Sequence, residues 1–205
     1  ANMFLISDKD SSQLSTSFRF IEDVKKLRVE VERRCEKHDW KTILITSSLE
    51  NEGKSSVLSN LGLALAENHK KVLLIDGDLR KPALHKIFEK ESNDGLRKVL
   101  EGKADLQDVI IRDEQSSLYL LLGHSSFTDA GDQLDGERMR DILKEARERY
   151  DYVLVDSVPS ALFTDAVTLA RLCDTCLLVV RQNFISVKVV AETLEKLKLA
   201  RVPIF

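Results

Sequence analysis

The sequence predicts an α/β fold, a three-layer sandwich in which helices cover both faces of a mostly parallel central sheet. Short, continuously apolar runs recur along the chain, as expected for strands that are buried on both faces. Between these runs, apolar residues repeat at helical spacing. A strand, a helix and a second strand follow one another within residues 42–76. Because such a βαβ unit needs a crossover, its two strands must be parallel.

The individual elements follow in order along the chain. Residues 1–15 are polar and unpatterned, which predicts a flexible lead-in. Apolar residues at helical spacing between Phe20 and Val31 predict an amphipathic helix over 16–35. Strands are expected at 42–46, 72–76, 118–122, 152–156 and 175–180, and helices from about Ser55 and over 139–146, 166–172 and 187–197. Residues 202–205 indicate the start of a further strand, and we expect residues 16–205 to form one domain.

The composition excludes several classes of protein. The 31 basic and 34 acidic residues are mixed along the chain and give a net charge of -3, which argues against a nucleic-acid partner. Three cysteines are too few for a disulfide framework, and Cys173 and Cys176 lack the second pair that a zinc site needs, so buried packing is expected. No apolar run approaches the ~20 residues of a membrane span. These features predict a cytoplasmic protein that reaches a membrane only through a partner.

The stretch SSLENEGKSS, residues 47–56, ends like a phosphate-binding loop. The pattern is G-x-x-x-x-G-K-[ST], and Ser48 stands where its first glycine belongs. The stretch lies directly after a predicted strand and directly before a predicted helix, which favours a nucleotide site over a coincidental turn. Candidate nucleotide-binding residues are Glu50, Asn51, Glu52, Gly53, Lys54, Ser55 and Ser56.

Carboxylates follow two of the predicted strands. VLLID-Gly-Asp places Asp76 and Asp78 at one strand end, and YVLVD places Asp156 at another. A single aspartate in such a place is equally consistent with an ordinary turn. Three of them beside a Gly-Lys-Ser sequence favour a magnesium–nucleotide site in which Ser55, Asp78 and Asp156 hold the metal and Lys54 binds phosphate.

With these residues assembled, the chain resembles the bacterial tyrosine kinases of capsule and exopolysaccharide export, which share the P-loop fold of the chromosome-partitioning and division-site ATPases. The matching segments are EGKSS at 52–56, VLLIDGDLRKP at 72–82, YDYVLVDSVPSALFTDA at 150–166 and ARLCDTCLLVVR at 170–181. EDVKKLR at 22–28 resembles the family's E-x-x-R-x-x-R oligomerisation helix, with Lys25 in place of the middle arginine.

The resemblance implies an ATP- and Mg²⁺-dependent tyrosine autokinase, which transfers the γ-phosphoryl group mainly to a tyrosine-rich tail of a neighbouring subunit. It assigns catalysis to Lys54, Asp76 and Asp78, with Asp76 accepting the tyrosine proton. It implies a homo-oligomeric ring that is docked through Glu22, Lys25 and Arg28. It further implies activation by the cytoplasmic segment of a membrane chain-length regulator, at the inner face of the plasma membrane.

Two alternative functions stay open at this stage. A division-site type of ATPase would carry an extra lysine early in the loop, where this chain has Leu49. A catalytically silent ATP-binding regulator of the export machinery is favoured by two departures from the kinase pattern. Glu50 and Asn51 replace a Pro-Gly pair, and the only tyrosines are Tyr119, Tyr150 and Tyr152, without a terminal cluster.

Overall fold

The computed structural model of this chain describes residues 14–50, 52–123, 136–158, 165–181 and 185–205. In chain order, its elements are α1 (Leu14–His38), β1 (Thr42–Ser47), α2 (Lys54–Glu67), β2 (Val72–Asp76), α3 (Leu84–Ile87), α4 (Gly95–Leu100), α5 (Leu106–Val109), β3 (Ile111–Asp113), β4 (Leu118–Leu121), α6 (Gly136–Arg149), β5 (Tyr152–Asp156), α7 (Asp165–Leu172), β6 (Thr175–Val179) and α8 (Val187–Leu199).

The strands among these residues form one sheet in the order β3-β4-β2-β5-β1-β6. All neighbours are parallel except β3, which pairs antiparallel with β4 at one edge. Ile204 forms a parallel bridge with Cys176 of β6, where a further strand was expected. The predicted three-layer α/β class is confirmed, and every predicted strand lies within about one residue of its observed position.

Each central strand buries both of its faces. On β1 and β2, Leu44 and Leu73 pack in a cluster with residues of α4, α6 and α7, whereas Ile43 and Leu74 pack with residues of α1, α2 and α3. Alternate residues of a strand point to opposite faces, so the two clusters are the two sides of one sheet. The uninterrupted apolar runs in the sequence therefore reflect helices on both sides.

The amphipathic stripe of α1 is covered by this same chain. Val31 and Cys35 are fully buried in the cluster beneath the sheet, and Val24 packs with Ala64 of α2. The helix begins at Leu14 and ends at His38, slightly beyond the predicted bounds, while the expected lead-in over residues 1–13 lies outside the described part of the chain. None of the helices in the described ranges is long and apolar enough to cross a membrane.

The short elements α3, α4, α5 and β3 were not predicted. Each has between 3 and 6 residues, too few to show a helical or strand period. The cysteines behave as expected, since Cys35, Cys173 and Cys176 are buried as free thiols and burial raises the pKa of each.

Candidate active site

Sheet order brings the predicted site residues to one edge. β5 lies between β2 and β1, and all three strands run parallel. Their carboxyl ends therefore lie side by side, with Asp76 at the end of β2 directly opposite Asp156 at the end of β5. The loop that joins β1 to α2 follows the third strand at the same edge. Ligands of parallel α/β sheets bind at this edge.

The loop from β1 to α2 has the backbone of an anion-binding turn. Gly53, the residue before α2, has a φ of 86°, a left-handed conformation that favours glycine. Glycine has no side chain with which to cap the helix, so the first amide groups of α2 remain available to an anion. A Cβ at Gly53 would meet nothing within 4 Å, so backbone conformation is the reason for glycine at this position.

Lys54 and Ser55 both bind the carboxylate at the end of β5. Lys54 Nζ lies 2.5 Å from Asp156 Oδ1, and Ser55 Oγ donates to Asp156 Oδ2 at 2.7 Å. Asp156 is fully buried and Lys54 is 9% exposed. Burial raises the pKa of Asp156, and the ammonium group of Lys54 opposes this effect. Three of the four residues predicted to bind phosphate and magnesium, Lys54, Ser55 and Asp156, are therefore in direct contact.

Asp76 is also fully buried, and only one of its oxygens has a partner among the described residues. Asp76 Oδ2 accepts hydrogen bonds from the amides of Ala83 and Leu84 at 2.9 and 3.1 Å, whereas Oδ1 is left without one. Burial, with the nearby Asp156 carboxylate as the next cause, raises the pKa of Asp76 to about 7. This carboxyl can therefore gain or lose a proton near neutral pH.

Asp78 is held differently, with its carboxylate at the wall of a pocket. Its Oδ1 accepts from the amides of Arg80 and Lys81 at 3.1 and 2.9 Å, and the residue is 8% exposed. The pocket has a volume of about 310 Å³ and is lined by Ser47, Glu50, Gly53, Lys54, Ser55, Ser56, Asp78 and Lys81. Most of the residues predicted to bind nucleotide therefore face one cavity.

The two glutamates of the loop have different surroundings. Glu52 is 4% exposed, and its carboxylate accepts from the amides of Leu49 at 2.7 Å and Arg181 at 3.0 Å. This side chain ties the loop to the end of β6. Glu50 lines the pocket and pairs with Lys81 at 2.7 Å. Asn51, the remaining predicted loop residue, lies outside the described residues.

The donor set suits magnesium completed by phosphate oxygens. A serine hydroxyl, carboxylates and the unpaired buried Asp76 Oδ1 are the oxygen groups that a hard cation prefers. Within the described residues, no three His, Cys, Asp or Glu side chains are arranged to hold a metal by themselves. Mg²⁺ is commonly bound by one or two carboxylates together with substrate phosphates and water.

Comparison with known proteins identifies the family. Residues 40–202 match the family model described as an AAA domain. Tyrosine-protein kinase YwqD of Bacillus subtilis (strain 168) is 32% identical over 159 residues, which cover 78% of this chain and 67% of that protein. The chain belongs to the bacterial tyrosine-protein kinases. This confirms the family that the sequence motifs indicated, the kinases of capsule and exopolysaccharide systems.

Solved structures give the same result for this kinase chain. The kinase domain of Escherichia coli tyrosine kinase ETK superposes with a TM-score of 0.86 at 30% identity, covering 90% of this chain and 72% of that one. The septum site-determining protein MinD complexed with Mg-ADP, from Pyrococcus horikoshii OT3, has a TM-score of 0.70 at 28% identity, covering 80% and 67%. The predicted relation to the division-site ATPases is thereby confirmed. The chain spans 25% of the complete Etk protein of Escherichia coli (strain K12).

The residues of the predicted docking motif in this tyrosine kinase are paired within α1. Lys25 contacts Glu22 at 3.2 Å, and both side chains are more than 40% exposed. Arg28 contacts Glu32 at 2.7 Å and is 21% exposed. Glu32, which lies outside the motif, also accepts from Asn68 at 2.9 Å, so the partner of Arg28 links α1 to the chain segment after α2. Docking through these residues stays a prediction.

The kinase site also contains residues that sequence reasoning missed. Gly77 separates the two aspartates, and a Cβ there would lie 2.4 Å from the backbone oxygen of Asp156. Lys81 has a side chain that is 71% exposed, and it also lines the pocket. The D-x-D spacing could have pointed to Gly77, since the residue between two strand-end carboxylates must pass close to the neighbouring strand. Only the folded chain brings Lys81 to Glu50.

Proposed function

We propose that this chain binds Mg–ATP in the pocket at the carboxyl edge and transfers the γ-phosphoryl group to tyrosine hydroxyls of partner proteins. The observation that carries this proposal is the cluster of Lys54, Ser55 and Asp156, with Asp78 at the wall of the same pocket. Family membership supplies the reaction class. By this proposal, phosphorylation regulates capsule or exopolysaccharide synthesis and export.

The loop between β1 and α2 binds and orients the phosphates of ATP together with Lys54. The start of α2 has no side-chain cap among the described residues and lines the pocket, and Lys54 provides a positive charge that is almost completely buried. A phosphate would compete with Asp156 for this ammonium group. Because phosphoryl transfer depends mainly on positioning and charge stabilisation, Lys54 is expected to contribute several kcal/mol to transition-state binding.

Ser55, Asp78 and Asp156 are the residues proposed to hold Mg²⁺. A magnesium ion bound there would neutralise charge that develops on the phosphate oxygens. Asp156 presents one oxygen to Ser55 and the other to Lys54, so it can orient both side chains. Asp78 is kept in place by the two backbone amides that it accepts.

Asp76 is proposed to accept the proton of the tyrosine hydroxyl. A base works best when its pKa is near the working pH, and the pKa of Asp76 is about 7. Its carboxylate is completely buried beneath the turn that contains Ala83 and Leu84. Proton transfer by Asp76 therefore requires this turn to move when the tyrosine enters.

The same burial favours one alternative, a catalytically silent ATP-binding regulator of the export machinery. In that case, Asp76 would serve only to hold the turn through its two backbone hydrogen bonds. ATP binding without transfer of phosphate would identify such a protein. A switch ATPase related to the division-site proteins would instead release free phosphate.

The partners are proposed from the family. We place the kinase at the inner face of the plasma membrane, activated by the cytoplasmic segment of a chain-length regulator and assembled with copies of itself through Glu22, Lys25 and Arg28. Of the chain's own tyrosines, Tyr150 and Tyr152 are 4% and 5% exposed, which makes tyrosines of other proteins the more accessible acceptors.

The test is incubation with γ-labelled ATP, Mg²⁺ and a glutamate–tyrosine copolymer, alone and with the regulator's cytoplasmic segment in excess. We expect phosphotyrosine, and a rate about a thousandfold lower in Lys54→Met, as for loss of one preorganised charge contact. Lys26→Met is the matched control, because Lys26 lies on α1 with its side chain 78% exposed. Free phosphate alone would indicate a switch ATPase, and ATP binding with neither product would indicate the silent regulator.

A further inference from the structure

An ion pair crosses the mouth of the proposed ATP pocket. Lys81 Nζ lies 2.7 Å from Glu50 Oε2, and both residues line the cavity. Glu50 follows β1 and Lys81 follows β2, two strands that are separated in the sheet by β5. The pair therefore reaches over the end of β5, where Asp156 and Lys54 are in contact.

Two lysines line the pocket among the described residues, and only Lys81 is placed to contact the outer phosphates of a bound triphosphate. Lys54 is deep in the site and contacts Asp156 at 2.5 Å. Glu50 and Asp78 add two carboxylates to the lining. Several phosphate oxygens must find positive partners, and ammonium groups are common phosphate ligands. Among the described lining residues, Lys81 is the second lysine or arginine.

Lys81 is held in place at its backbone, whereas its side chain is exposed. Its amide donates to Asp78 Oδ1 at 2.9 Å, and the amides of Ala83 and Leu84 donate to Asp76. The side chain, in contrast, is 71% exposed and ends on a flexible four-carbon stem. Glu50 is 40% exposed, and ion pairs this open to water are weak, so a phosphate can replace the carboxylate. The contact with Glu50 also raises the pKa of Lys81, which keeps the amine charged.

We propose that Lys81 is a second phosphate-binding cation of this site, held over the pocket by Glu50 and exchanged from that carboxylate to the terminal phosphate when ATP binds. This inference rests on the proposed function, since it concerns the same pocket. Lys54 is the inner cation and Lys81 the outer one, so Lys81 favours a triphosphate over a diphosphate. Glu50 competes with the nucleotide and lowers its affinity.

The test is titration calorimetry of the complete chain with ADP and with a non-hydrolysable ATP analogue at fixed Mg²⁺. We expect Lys81→Gln to weaken the ATP analogue about tenfold and ADP less than about twofold, because one charge-assisted contact is lost only at the terminal phosphate. Lys81→Arg should retain most of the affinity, and Glu50→Gln should tighten the ATP analogue about threefold by removing the competitor. Lys86→Gln on α3, which makes the same change of charge five positions away, should leave both ligands unaffected.

Three results would overturn the assignment of Lys81. They are an equal effect of Lys81→Gln on both nucleotides, no effect on either, and a loss of affinity in Glu50→Gln as large as that in Lys81→Gln. The last result would show that the Glu50–Lys81 ion pair only stabilises the conformation of the loop between β1 and α2. Lys54→Met separates this inference from the proposed function. If that variant loses ATP while Lys81→Gln does not change the ATP preference, only the role of Lys81 is wrong. If Lys54→Met binds ATP as tightly as the unmutated chain, the proposed nucleotide site itself fails.

Discussion

Carboxylates at the amino and carboxyl edges of the central sheet differ in burial and in hydrogen bonding. At the amino edge, Asp174 accepts hydrogen bonds from the amides of Lys41 and Thr42 at 2.8 and 2.9 Å and contacts Arg147. Asp151 accepts from the amide of Lys71 at 2.7 Å. These carboxylates each satisfy backbone groups at the start of a strand, and they remain partly open to water.

At the carboxyl edge, two aspartates are completely buried a short distance apart. Asp76 and Asp156 lie opposite each other on neighbouring strands, and Asp76 Oδ1 has no partner among the described residues. Burial raises the pKa of both carboxyl groups, and a nearby carboxylate adds to this effect, Asp156 in the case of Asp76 and Asp78 in the case of Asp156. This arrangement costs stability, and sites of function are where such costs are found. This contrast supports the proposal that the carboxyl edge is the site of the chemistry.

The largest effect expected from this comparison is at the amino edge. Asp174→Ala removes the acceptor of two backbone amides and the partner of Arg147, so the free energy of unfolding should fall by about 3 to 4 kcal/mol. Urea denaturation measures this change. Asp39→Asn is the control, because Asp39 also contacts Arg147 but its side chain is 86% exposed, and little change is expected. A small change in the free energy of unfolding of Asp174→Ala would contradict the prediction that the carboxylates at this edge stabilise the fold.

At the carboxyl edge, replacing a buried aspartate is expected to increase the free energy of unfolding. The carboxyl group of Asp76 has a pKa of about 7 in the folded chain and 3.8 as its ordinary value, so the folded chain keeps a proton that the unfolded chain loses between these pH values. This contribution is complete below pH 3.8 and is lost as the pH rises through 7. Asp76→Asn should therefore be more stable than the unmutated chain at pH 8.

The size of this effect is measured by urea denaturation at pH 5 and pH 8 in magnesium-free buffer. The stability changes mainly over the roughly two pH units between pH 5 and the folded-state pKa of about 7, which correspond to about 3 kcal/mol. The stability difference between variant and unmutated chain should therefore change by about that amount between pH 5 and pH 8. Asp23→Asn on α1 is the control, since the Asp23 side chain is 61% exposed. A constant difference between pH 5 and pH 8 would mean that Asp76 is ionised throughout.

A smaller effect is expected at Gly77, where the two acidic strand ends meet. Gly77→Ala would place a Cβ 2.4 Å from the backbone oxygen of Asp156 and 3.3 Å from side-chain atoms of Leu169 and Val155. We expect a loss of about 2 kcal/mol in thermal or urea unfolding, together with weaker ATP binding, because β2 and β5 must separate. Gly136→Ala is the control, since a Cβ there meets nothing within 4 Å. Equal stability of the two variants would contradict this close approach.

The smallest effect is expected on the surface of α1. Lys26 and Asp23 form an ion pair at 3.4 Å whose side chains are 78% and 61% exposed. Lys26→Ala should change the free energy of unfolding by less than about 0.5 kcal/mol. A larger loss would show that charge on this helix contributes to the fold as strongly as charge at the two sheet edges.

Much of the candidate site could be predicted because its signals are local. Gly-Lys-Ser between a strand and a helix, and an aspartate at the end of an apolar run, are patterns of a few consecutive residues, and sheet order brings them together. The burial of Asp76 beneath the amides of Ala83 and Leu84 could not be predicted in this way. Those amides belong to a turn and to α3, which is too short to show a helical period.

By itself, the sequence determined the class of fold and most of the candidate site residues. Apolar periodicity decides which segments become strands and helices, and the position of polar residues after strands decides which edge is functional. The tertiary structure alone decided which charges are paired. Glu50 with Lys81, Glu52 with the amide of Arg181 and Asp174 with the start of β1 are contacts between residues far apart in the chain. Such pairs depend on side-chain distances and burial, which no local pattern specifies.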